Sequence, residues 1–179
     1  MIPQVQTSAP RPVMGRLSLL DPRIECLALT LWSSTSWSTA LEAGGEVERA
    51  SRLYGAADES LPACRVGRDL EFYAFNFGRF ISSERAIAYA RSIGYRPAHP
   101  RAVTAASQRF YELPHLFKHP APMSLATLLP CYTDDGEPFV LSVQWDKKLA
   151  RTVRGVYFNY GWEPEYWFLF EVAPAKKAR

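Results

Sequence analysis

The chain has 179 residues, 47% of them apolar and 22% charged. That is the size and balance of one globular domain, able to bury roughly 70% of its unfolded surface without disulfides or a metal, and it excludes a disordered protein. The net charge of +3 is too small to imply nucleic acid by itself. The three cysteines, Cys26, Cys64 and Cys131, are odd in number and far apart. They exclude a dense disulfide scaffold and read as free thiols of a cytoplasmic protein.

Residues 1–22 hold four of the fourteen prolines and little apolar periodicity, which predicts a flexible, extended arm. Ile24 to Trp32 is rich in aliphatic and β-branched residues and predicts a strand. The uncharged run Cys26 to Ala40 is too short and too rich in hydroxyls to span a membrane. Trp37, Ala40 and Leu41 fall at helical spacing, so a short helix is expected before Gly44-Gly45. A second helix is expected from Glu46 to Tyr54, with acids first, Arg49 and Arg52 later, and Gly55 as its stop.

Leu70, Phe72 and Ala74 alternate with Glu71, Tyr73 and Phe75, a strand pattern. Ser82 or Ser83 is placed to cap a helix reaching Ile93, with Gly94 as its stop. Pro100 suits the first turn of a helix to Leu113. Pro114 to Pro130 contains four prolines and predicts irregular chain. Asp134-Asp135-Gly136 is a hairpin signal, and Phe139 to Trp145 alternates with a period of two. Val153 to Phe158 and Tyr166 to Val172 read as the next strands, joined through Asn159-Tyr160-Gly161. Short connections imply antiparallel neighbours. The expected fold is therefore α+β, with helices packed on a three- or four-stranded antiparallel sheet formed mainly by the C-terminal third. Residues 23–173 form its single domain and residues 174–179 a basic tail.

The run Ala90 to Ala98, followed by a helix, an aromatic hairpin and the closing Trp162 and Trp167-Phe168-Leu169, resembles a set of uncharacterised bacterial proteins. The resemblance spans residues 83–172. It implies helices followed by strands, and no activity.

Three functional classes remain. Nine of the 24 aromatic residues lie between Trp145 and Phe170, and if one row of alternating rings faces solvent, Tyr157, Tyr160, Trp162, Tyr166 and Trp167 form a protein-binding face. Tyr and Trp offer large contact area with polar handles, so the leading expectation is a non-enzymatic accessory or inhibitor-type module. The alternative is nucleic-acid binding, with bases stacked on the aromatics and phosphates held by Lys147, Lys148, Arg151 and Arg154. The segment Arg79 to Lys118, with seven cations against two acids, could extend that face. The second alternative is a small metal or thiol enzyme. His115 and His119 stand at i, i+4 and could share a metal with Cys131, or one of them could activate its thiol. Pro114 and Pro120 disfavour a regular helix there, and the plainer explanation is two surface histidines and a core cysteine. No nucleotide-loop or hydrolase motif is present in the sequence, and no cofactor is expected.

Overall fold

A computed structural model describes residues 21–31, 36–48, 61, 63–132 and 136–174. The elements in chain order are β1 (Arg23–Leu31), α1 (Trp37–Gly44), β2 (Glu46–Val47), β3 (Gly67–Asn76), α2 (Ser83–Ser92), β4 (Tyr95–Pro97) and α3 (Pro100–Arg109). They continue with α4 (Leu113–Leu116), β5 (Met123–Thr127), β6 (Cys131–Tyr132), β7 (Pro138–Trp145), β8 (Arg151–Tyr157) and β9 (Tyr166–Val172). The helix starts follow local chemistry. The Ser36 hydroxyl accepts from the Thr39 amide at 3.2 Å, Ser82 caps α2 through the Arg85 amide, and the His99 ring caps α3 ahead of Pro100. The arm before Asp21 and the tail after Pro174 lie outside the described residues.

Among the described residues all strands belong to one nine-stranded sheet ordered β1-β3-β9-β5-β7-β8-β2, with β4 also on β9 and β6 also on β7. The α+β class holds, but the small antiparallel sheet of the C-terminal third does not. The sheet draws strands from the whole length of the chain and is mixed, because β5 runs parallel to β9 and β2 parallel to β8. Two sequence signals misled. Met123–Thr127, set among prolines, is buried at every position, so it lacks the alternation of a half-exposed strand, yet it sits mid-sheet between β9 and β7. The short link from β8 to β9 is not a hairpin. Trp162 within it pairs with Ile81 through backbone bonds of 3.1 and 3.0 Å, and β9 enters between β3 and β5.

The expected helix from Glu46 is also corrected at its start. Glu46 and Val47 pair with Thr152 and Val153, while residues 49–60 lie outside the described set. Gly45 permits this. Its φ is +151°, and a Cβ there would stand 2.7 Å from the Arg151 carbonyl oxygen, so only glycine lets α1 end this close to β8.

Each face of the sheet carries its own core. On one face α1, α3 and α4 cover Leu27, Phe72, Leu125, Leu141, Trp167 and Leu169. On the other, α2 lies over Phe75, Phe168 and Phe170, joined by Ile81 and Trp162. Burying a Leu or Phe contributes about 1.5–3 kcal/mol. With helices on both faces, the two alternating rows of β9 are both interior. No helix among the described residues is long and apolar enough to cross a membrane.

Candidate functional site

The rings proposed for recognition divide between core and surface. Trp162 and Trp167 are 0% exposed. The Trp162 indole N–H donates to Ser83 Oγ at 2.8 Å, and that hydroxyl donates in turn to the Phe158 carbonyl. Its ring meets Phe168 at 5.4 Å and Tyr166 at 4.9 Å. Trp167 packs on Phe117 at 4.4 Å, with the Arg23 guanidinium 5.3 Å from its ring centre. Its indole nitrogen is buried without a partner among the described residues. These two tryptophans therefore cannot belong to a contact surface: helices cover both faces of β9, which carries Trp167, and Trp162, in the link before β9, is sealed against Tyr166, Phe168 and Ser83. Tyr166 is half-buried. Burial raises its phenol pKa, while a hydrogen bond with Ser124 and the charge of Arg154 oppose the rise.

Tyr157 and Tyr160 stay at the surface, 54% and 42% exposed. They flank a tight turn in which the Tyr160 amide donates to the Tyr157 carbonyl at 3.0 Å and the Phe158 amide to the Pro138 carbonyl at 3.1 Å. The Tyr160 ring rests edge-on against the sealed Trp162, with centroids 5.6 Å apart, so an exposed ring is braced by a buried one. Both tyrosines line an open depression of about 460 Å³, together with Glu137, Pro138 and Asn159. Exposed Tyr132 faces Pro138 across the β6–β7 pair. Sequence reasoning missed Tyr132, Glu137, Pro138 and Asn159. The signal was available in the hairpin logic, which brings the residues after Asp134-Asp135-Gly136 beside those before Asn159-Tyr160-Gly161.

The four hairpin cations do not share one open surface. Lys147 and Lys148 occupy the β7–β8 turn, whose backbone is tied by the Asp146 carboxylate, which accepts from the amides of Lys148 and Ala150 at 2.7 and 2.9 Å. Arg151 donates to the Ser107 carbonyl at 2.6 Å. Arg154, two positions on, donates to Gln144 at 2.7 Å and pairs with Glu48 at 3.3 Å.

His115, His119 and Cys131 are not gathered into a site. No group of three His, Cys, Asp or Glu side chains that could hold a metal occurs among the described residues. His115 is exposed beside Glu112 at 3.9 Å, and the His119 ring stands edge-on to Trp167 at 5.9 Å. Cys131 is buried in the core, where burial pushes its thiol up to about 12. A thiol so placed is a poor nucleophile at neutral pH. No protein-family model, curated protein or solved structure matches the chain, so its function is argued from this geometry.

Proposed function

We propose that the protein is a non-enzymatic module that captures a protein partner through the Tyr157–Tyr160 turn and the depression beside it. The observation that carries this is the exposure of Tyr157 and of Tyr160, the latter braced by Trp162, around a concave surface, in a chain whose neighbouring tryptophans are sealed inside. Amphipathic rings held rigid before binding lose little entropy on contact and concentrate interface energy. Phenols, an amide and a carboxylate supply a polar rim. Nucleic-acid binding through Lys147, Lys148, Arg151 and Arg154 is the weaker reading, since the last two already serve the protein's own acceptors.

The test is affinity capture with the wild-type chain and with Tyr157→Ala and Tyr160→Ala, melting temperatures being recorded in parallel. A partner identified with the wild type and lost with both variants, at unchanged melting temperature, supports the proposal. Equal recovery with all three proteins would defeat it.

A further inference from the structure

We infer that β1 is an interface on which two copies of this chain pair edge to edge, antiparallel, about a two-fold axis. β1 stands at one end of the sheet order and, among the described residues, pairs only with β3. The amides and carbonyls that it turns away from β3 find no backbone partner among them. Such a row is a template for a further strand. The two edges of the sheet are built differently. β2, at the other end, is two residues long, too short to template a ladder. β1 holds its register with β3 from Arg23 to Leu29 and shifts only between Leu29 and Leu31. After Glu25 that stretch carries no charge, lysine or proline to repel a neighbour. On the face where Ile24, Cys26 and Ala28 alternate, all three are exposed.

Charge complementarity selects a second copy and its register. Arg23 and Glu25 share the other face and pair with each other at 2.7 Å. A two-fold axis reverses their order in the facing strand. With Ile24 opposite its own counterpart, each Arg23 therefore stands opposite the Glu25 of the other copy. The two intrachain pairs merge into one alternating network, with no charge left uncompensated. Moving the axis by one residue opposes either two Glu25 carboxylates or two Arg23 guanidinium groups, and both arrangements are destabilising. The same register sets the two exposed Ile24 side chains in contact. Pro22 has no amide hydrogen and ends the ladder, so the association is weak. The Tyr157–Tyr160 depression lies five strand spacings away along the sheet order, about 24 Å, and stays open in the dimer.

The experiment is sedimentation equilibrium on the full chain under reducing conditions. A concentration-dependent dimer with Kd of about 10–100 µM is expected, as for an interface below standard size. Ile24→Lys, which opposes two cations at the axis, should weaken it at least tenfold, and so should Glu25→Arg. Melting temperatures recorded in parallel show that each variant is folded. The decisive arm mixes two variants. Glu25→Arg alone and Arg23→Glu alone should each be monomeric, while an equimolar mixture should form a heterodimer about as tight as the wild-type dimer. Loss of the intrachain ion pair, common to both variants, cannot produce that rescue. A chain that stays monomeric at millimolar concentration overturns the inference. So does a dimer that Ile24→Lys leaves intact, or a mixture that associates no more tightly than its components.

Discussion

The rings of β9 and the rings of the Tyr157–Tyr160 turn come from one short stretch of chain, yet the first are interior and the second are at the surface. Trp167 and Phe168 point to opposite faces of the sheet, and each meets a layer of helix. Tyr157 and Tyr160 sit where β8 ends and no helix among the described residues lies across them. A period of two says which side chains share a face; whether that face is covered depends on helices contributed from elsewhere in the chain. The largest expected effect breaks the sealed group. Trp162→Ala removes a ring at 0% exposure and the indole donor to the Ser83 hydroxyl, so it should cost about 3–5 kcal/mol in denaturant unfolding. A loss below about 1 kcal/mol would show that Trp162 is not structural.

The same contrast explains how much of the architecture was legible. Strands β1, β3, β7, β8 and β9 and helices α1, α2 and α3 follow from alternation, caps and glycine stops, because each signal is local. The sheet order does not. Placing β9 between β3 and β5 depends on Trp162 docking against Ile81 and Ser83, residues about 80 positions away. The all-buried β5 hides its own pattern. Of the site, Tyr157 and Tyr160 were legible as amphipathic rings in and beside a turn. Glu137, Pro138 and Asn159 become neighbours only once the β6–β7 and β7–β8 pairs are in register.

A second sealed position on β9 is charged. Glu171 is 6% exposed, and its carboxylate accepts from Arg96 at 2.9 Å across the β4–β9 pair. Arg96→Ala should cost about 2–3 kcal/mol, because it leaves a buried carboxylate uncompensated. Arg96→Ala with Glu171→Leu should recover much of that loss, as a double-mutant cycle on chemical denaturation would show.

Cys131 sharpens the boundary through pH. Its thiol is pushed from an ordinary value near 9 to about 12 by burial. Between those values the unfolded chain releases this proton and the folded chain keeps it. The contribution is therefore fully present below pH 9 and is lost as pH rises toward 12, at no more than about 1.4 kcal/mol per unit. Unfolding at pH 8, 9 and 10 should show the wild type losing roughly 1 kcal/mol more than Cys131→Val. Parallel losses in the two proteins would mean that the thiol titrates normally and is not sealed.

The smallest expected effect on stability belongs to Tyr160→Ala, and that smallness distinguishes the exposed rings from the sealed ones. Tyr160 is 42% exposed and touches Trp162 only edge-on, while its amide bond to the Tyr157 carbonyl survives truncation. Unfolding should shift by no more than about 0.5 kcal/mol, as for ordinary surface substitutions. Partner affinity should fall at least tenfold, since a braced aromatic anchor concentrates interface energy. Trp162→Phe provides the reciprocal case. It keeps a ring behind Tyr160 but removes the donor to Ser83, so stability should drop by about 1 kcal/mol while binding changes little. If instead Tyr160→Ala unfolds the chain and Trp162→Phe abolishes capture, the assignment of inner ring to core and outer ring to contact is reversed, and the turn is scaffold.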